Sequence, residues 1–222
     1  MSIAIALDGP AGAGKSSIAK RVAKTLGYIY VDTGALYRTV GLAASERQIE
    51  PVASAEVDDM LAEIKVELTF NEQGEQIVLL DGRNVSWEIR TPEASIMSSK
   101  ISAVPAVRAY LLDLQRDMAK NHDVIMDGRD IGTVVLPDAQ VKIFLTASPE
   151  ARAERRFKEL KDRELDVRYE DVLNDVITRD YNDSHRDIAP LKPAEDSIVV
   201  DTTTLDFEQS VEKIISVIKE NR

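Results

Sequence analysis

The sequence predicts an α/β fold, a doubly wound parallel sheet of five strands with helices on both faces. The prediction adds a small antiparallel β insertion and a short helical lid. Three observations carry it. Five short apolar runs, Ile3 to Leu7, 28–32, 124–127, 141–145 and 198–201, have the composition of strands buried on both faces. Amphipathic helical stretches separate them, the alternation that yields a parallel sheet. Between 65 and 90 the texture switches to strict alternation broken by polar turns, the mark of an antiparallel meander.

The first run leads directly into Gly9-Pro10-Ala11-Gly12-Ala13-Gly14-Lys15-Ser16, the phosphate-loop pattern of Gly, four residues, Gly-Lys-Ser/Thr. Glycines let the backbone curl so that its N–H groups converge on phosphate oxygens. A helix is predicted from Ser16 to Leu26 with Gly27 as C-cap, and its N-terminal dipole adds to the anion site. A chance glycine-rich turn would lack this strand-loop-helix context. The segment is read as a nucleoside triphosphate site formed by Gly9, Pro10, Ala11, Gly12, Ala13, Gly14, Lys15, Ser16 and Ser17. Lys15 would reach the β- and γ-phosphates, and the Ser16 hydroxyl would ligate Mg²⁺.

The strand at 28–32 ends in Asp32, and Thr33 is the expected N-cap of a helix running to about Arg47. Residues 54–64 form an acidic amphipathic helix. The meander at 65–90, with Asp81-Gly82 as a turn and 84–89 as a third strand candidate, reads as an inserted subdomain, with an edge extension of the main sheet as the alternative. Thr91-Pro92-Glu93 opens one helix, 105–120 is another, and Ser148-Pro149-Glu150 opens a third. The last helix, about 207–220, starts with an Asp206 to Gln209 capping box.

At 222 residues, with 44% hydrophobic and 30% charged residues, the chain fits one globular domain with an insertion. No apolar run approaches the ~18 residues of a membrane span, and the N-terminal run reads as a strand rather than a signal peptide. Zero cysteines suit a cytoplasmic protein. A net charge of −11 argues against a nucleic-acid polymer as ligand. Focused arginines in an acidic chain point instead to a small polyanion in a cleft. Nothing signals an obligate interface, so a monomer is expected.

No guanine-reading Asn/Thr-Lys-x-Asp tetrapeptide is present, nor the signature loop of a transport ATPase, which leaves a small kinase. Its acceptor site must hold an anion. Arg38 lies one turn into the helix after the second strand, Arg129 and Asp130 follow the third, and Arg179, Asp183 and Arg186 recur at i, i+4, i+7. Any one of these arginines could be a solvated surface charge; several near the phosphate loop point to a site. Arg152 and Arg156, four apart in a basic segment, read as a lid over about 150–170 that excludes water during transfer.

Four segments in order resemble bacterial cytidylate kinases: residues 9–16, Asp-Thr-Gly-Ala-Leu-Tyr-Arg at 32–38, Asp-Gly-Arg-Asp-Ile-Gly-Thr at 127–133, and Arg-Asp-x-x-Asp-x-x-Arg at 179–186. Ala189-Pro190-Leu191 adds to the likeness, and the insertion resembles the enlarged nucleoside-monophosphate subdomain of the long bacterial form, here about 65–100. The resemblance implies Mg²⁺-dependent transfer of the γ-phosphoryl of ATP to CMP or dCMP. It places Arg38, Arg129 and Arg186 on the acceptor phosphate, Arg179 and Asp183 on the pentose, and Ser99, Arg108 and Asp130 on the cytosine edge, with Thr33 also in the acceptor site. Lys15, Arg129, Arg152 and Arg156 would stabilise the moving phosphoryl group. Ser16-Ser17 stands where many nucleotide kinases have Gly-Thr, so either hydroxyl could face the metal, and Asp32 and Asp127 are open between water-mediated metal contact and structural roles. The rivals are a kinase that accepts UMP as well as CMP, or shikimate, and a nucleotide-gated ATPase that switches a partner.

Overall fold

The computed structural model describes residues 2–222. The main sheet is parallel throughout, in the order β2 (Ile29–Asp32), β6 (Val124–Gly128), β1 (Ala4–Asp8), β7 (Val141–Thr146), β8 (Ile198–Asp201). The inner strands β6, β1 and β7 are apolar because both faces are covered, whereas the edge strand β8 leaves Val199 exposed. Against one face lie α1 (Lys15–Leu26) and α8 (Phe207–Asn221), whose Ile18, Val22, Val211, Ile214 and Ile218 pack on Ile5, Leu7, Ile125 and Ile143. Against the other, Ala4, Ala6, Val31, Val124 and Met126 meet α5 (Pro105–Asn121) and a π-turn at Ile131–Val135. Each of these larger side chains contributes about 1.5–3 kcal/mol on burial.

Register sets the site. Asp32 is level with Asp127, and Asp8 with Gly128, so three strand-ending acids line up at the carboxyl edge. This is the edge at which open parallel sheets bind ligands.

The insertion forms its own antiparallel sheet, β3 (Val66–Phe70), β4 (Gln76–Leu80) and β5 (Arg83–Asn84), rather than extending the main one. It packs with α2 (Thr33–Glu46), α3 (Ala55–Glu63) and α5 in a shared core that includes Leu36, Val57, Met60, Val78, Leu80 and Leu111. The third strand is shorter than predicted. Val85 and Ile89 are both buried, four residues apart, and Ile89 N–H donates to Val85 C=O, so the chain turns helically after Asn84.

The predicted helix starts hold at Thr91, Ser148 and Asp206, Ser54 caps α3, and Gly27 sits at φ 73° to close α1. Thr33 corrects the expectation: the N-cap is Asp32, whose carboxylate accepts from Ala35 N–H, and Thr33 is the first helical residue. α4 is Pro92–Ile101, α6 Pro149–Asp162 and α7 Tyr169–His185. The last two carry a small core of their own, Ala153, Leu160, Val172 and Val176, with Phe157 and Tyr169 edge-to-face at 6.0 Å between centroids.

Candidate active site

The phosphate loop runs from the end of β1 to the start of α1, with Gly12 and Gly14 at φ 75° and 85°. Gly9, at φ 149°, passes so close to β7 that a Cβ would lie 1.9 Å from the Leu145 carbonyl oxygen, so no other residue fits there. Lys15 is buried, and its Nζ donates to Pro10 C=O at 2.8 Å. Burial first, then the charge of Arg129, hold its ammonium well below the usual lysine value. The Asp127 and Asp8 charges act the other way, without outweighing burial.

Ser16 Oγ donates to Asp127 Oδ2 at 2.7 Å, and Tyr30 Oη donates to Asp127 Oδ1 at 3.1 Å. Burial, and then the nearby Asp32 charge, push the Asp127 carboxyl up to about 6. It is Ser16 rather than Ser17 that meets an acid of the sheet edge. Asp32 is spoken for by the α2 cap and by Arg38 Nη2 at 2.7 Å. Thr33 Oγ1 donates to the Asp127 carbonyl, tying α2 to β6.

The arginines picked out in the sequence converge beside this loop. Arg129 Nε donates to Asp183 Oδ2 at 2.9 Å. Burial pushes the Asp183 carboxyl up, but Arg129 and Arg179 outweigh it and hold it below the usual carboxylate range. Arg179 Nη1 donates to Ser95 Oγ of α4 at 3.0 Å, and burial followed by the charge of Arg129 lowers its guanidinium to about 10. Arg186 stands at the C-cap of α7, its Nε donating to Ala189 C=O and its Nη2 3.6 Å from Asp130. Arg108 pairs with Asp130, donates to Ser102 C=O at 3.2 Å and lies over the Tyr37 ring. Burial pushes the Asp130 carboxyl up, against the charges of Arg108, Arg186 and Arg129. Ser99 is half-buried on α4, and its carbonyl accepts from Ser102 Oγ in the turn that Arg108 also grips.

Among the described residues, Arg38 Nε, Arg179 Nε and Arg186 Nη2 are buried donors with no acceptor. Leaving such a donor unmet costs about 1–3 kcal/mol, and an anion placed among the three would be able to meet them.

Arg152 takes a position the sequence did not foretell. It is buried, forks onto Asp180 of α7, and gives Nη1 to the Ala11 carbonyl at 3.0 Å, joining the helical pair to the phosphate loop. Arg156 pairs with Glu159 at 2.8 Å, and its charge bears on Arg179. Sequence reasoning passed over Asp8, which ends β1 just before Gly9 as Asp32 and Asp127 end their strands. The same pattern, an acid closing a buried apolar run, would have found it. Asp180 and Ser95 gave no such signal, because only the fold brings them to their arginines.

The cytidylate kinase family model matches residues 5–220. A cytidylate kinase of Thermosipho melanesiensis is 50% identical over 220 residues, covering 99% of this chain and 98% of that protein. A cytidylate kinase of Fervidobacterium nodosum is 47% identical over the same length and shares. An uncharacterized protein from Eubacterium ventriosum shares the fold at TM-score 0.55 and 13% identity, covering 99% of each chain. A nearly full-length match to the family model, and identities near one half across whole chains, settle the assignment: the chain belongs to the cytidylate kinase family.

Proposed function

We propose that the chain transfers the γ-phosphoryl group of ATP directly to the phosphate of CMP or dCMP, giving ADP and CDP or dCDP. The observation that carries this reading is Asp130, a buried carboxylate flanked by Arg108 and Arg186 and adjacent in sequence to Arg129, beside the three unmet arginine donors. Those donors suit an acceptor phosphate, held by Arg38, Arg129 and Arg186, with Arg179 and Asp183 on the pentose. Asp130, with Arg108 and Ser99, reads the base. A buried carboxylate accepts from the exocyclic amino group of cytosine and repels the carbonyl that uracil has in its place.

On the donor side the backbone N–H groups of Gly9 and of residues 11–17 would hold the triphosphate, Pro10 having none to give, and Lys15 would lie against its β- and γ-oxygens. Two hard oxygen donors, Ser16 and Asp127, stand together at the edge of the loop, a set that fits Mg²⁺ brought in with the nucleotide. When bound, Mg²⁺ neutralises charge on the β- and γ-phosphate oxygens. Arg129 and Arg156 add positive charge where it develops in transfer. Arg152 holds the Ala11 carbonyl and so fixes the loop. The insertion with α4, about 65–100, serves the acceptor side, and α6 with α7 closes over the donor so that water does not compete. No helix among the described residues is long and apolar enough to cross a membrane; a cytoplasmic monomer remains our reading.

The test is ADP release from Mg-ATP with CMP, dCMP, UMP, AMP or shikimate added separately. Strong stimulation by CMP and dCMP, well above UMP, is expected. Release indifferent to every acceptor would sink the kinase reading and favour the nucleotide-gated switch.

A further inference from the structure

We propose that Asp8 is a positioning residue that couples the end of β1 to the turn carrying the base-reading carboxylate of Asp130, a role that rests on the acceptor-site reading above. Asp8 is the last residue of β1 and directly precedes Gly9, in the middle of the sheet beside Gly128. It is 5% exposed, and it spends both carboxylate oxygens on one target. Oδ1 accepts from Ile131 N–H and Oδ2 from Gly132 N–H, each at 2.8 Å.

Ile131 and Gly132 open the π-turn that follows Asp130, and the first N–H groups of any helical turn have no acceptor within it. Asp8 supplies that acceptor from a neighbouring strand. The Asp130 carbonyl meanwhile accepts from Val134 and Val135 N–H. Asp130 is thus gripped at the head of the turn, with backbone angles (φ −148°, ψ 27°) that are neither helical nor extended, and its side chain is directed at Arg108. Any shift in where the turn begins moves the carboxylate that faces the base.

Gly132 makes the approach possible. A Cβ there would stand 3.2 Å from Lys142 Cδ and 3.3 Å from Lys142 Cγ, closer than ordinary contact, and would touch Asp8 Oδ2 at 3.4 Å, so it would press on that lysine directly beside the carboxylate. A buried acid kept only for stability would be an uneconomical choice, since burial raises its pKa to about 6 despite the two N–H donors. Its position, joining the strand that feeds the phosphate loop to the turn that carries Asp130, explains its use.

The variant Asp8→Asn keeps one acceptor but aims an NH₂ at the other N–H. We expect the ratio of kcat/KM for CMP over UMP to fall about tenfold, the worth of roughly one hydrogen bond, while KM for ATP stays within about twofold. Gly132→Ala crowds Lys142 beside the same contact and, by shifting the turn from its other side, is expected to lower the ratio in the same direction. An equal loss on CMP and UMP in a variant that still unfolds cooperatively would overturn the proposal, as would an ATP KM that rises in step. If Asp8→Asn does not fold, an unchanged ratio in Gly132→Ala overturns it instead. Asp130→Asn is measured in parallel. If it leaves the ratio unchanged, base reading at Asp130 falls and the proposal with it; if it narrows the ratio and neither other variant does, only the coupling falls.

Discussion

Ser16 and Asp127 meet across the carboxyl edge of the sheet, Oγ to Oδ2 at 2.7 Å, one from the head of α1 and the other from the end of β6. Ser16 and Ser17 are both exposed, and it is the bond to Asp127 that sets Ser16 apart. If Ser16 is the hydroxyl that faces Mg-ATP, Ser16→Ala should lower kcat/KM for Mg-ATP about a hundredfold, and Ser17→Ala should cost less than about threefold. Steady-state kinetics at saturating CMP decide it, and equal effects of the two changes would remove the distinction.

Asp127 and Asp8 are both pushed up from 3.8 to about 6, so the folded chain holds their protons more tightly than the unfolded one. Unfolding therefore releases protons between pH ~4 and ~6, and the stability these acids allow is fully present below 4 and declines as pH rises to 6. A shift of about two pH units corresponds to ~3 kcal/mol per group. Asp183 acts the other way, and its contribution is lost only as pH falls below the ordinary carboxylate value. Urea unfolding of the nucleotide-free protein should show Asp127→Asn gaining on the parent chain as pH rises from 4 to 6, with a constant difference above 7. A pH-independent difference would mean that Asp127 is ionised throughout.

Arg129 is bound to Asp183 and lies close enough to Lys15 to lower its pKa, so it stands between the proposed acceptor residues and the phosphate loop. Arg129→Ala should reduce kcat/KM for CMP about a thousandfold and leave the Kd of ATP within about threefold. Because the change also leaves Asp183 buried without its nearest cation, Arg129→Ala/Asp183→Asn should recover thermal stability but not turnover. Turnover restored with stability would make Arg129 a structural residue.

Asp130→Asn replaces an acceptor by a group that can also donate, while Arg108 and Arg186 lose a charge to face. The preference for CMP over UMP should shrink about a hundredfold, mostly through a fall in kcat/KM for CMP. A preference that survives the change would mean that another group reads the base.

The sheet was legible because five buried strands and the helices between them repeat one pattern, and the phosphate loop because its glycines answer a backbone need visible in the letters. Local chemistry also gave most caps. It failed where two local signals competed. Thr33 and Asp32 are both good caps, and the choice went to Asp32 because Thr33 Oγ1 is drawn to the Asp127 carbonyl across the sheet. Residues 84–89 were apolar enough for a strand, but the spacing of Val85 and Ile89 favoured a turn once both had to reach one core. The pairing of each arginine was beyond the sequence. Arg152 with Asp180, and Arg179 with Ser95, join segments 28 and 84 residues apart, contacts that exist only after α6 and α7 fold back over the loop.

That fold-back bears on the lid. Arg152 is the buried link between α6, α7 and the phosphate loop, donating at once to Asp180 and to Ala11 C=O. Phe157, Tyr169, Leu160 and Val172 give the helical pair a core separate from the main sheet, the arrangement a closing element requires. Loosening the link should admit water before it abolishes nucleotide binding. Asp180→Asn keeps the shape and weakens the fork, and it should raise ATP hydrolysis without CMP about tenfold relative to transfer, with ATP affinity changed less than about threefold. Phe157→Ala, which loosens the small core around Tyr169, should lower the protection of α6 and α7 amides from hydrogen exchange without affecting those of β1 and β6. Hydrolysis that stays at the parent level in Asp180→Asn, together with uniform exchange changes in Phe157→Ala, would show that the two helices are an integral part of the main domain rather than a closing element.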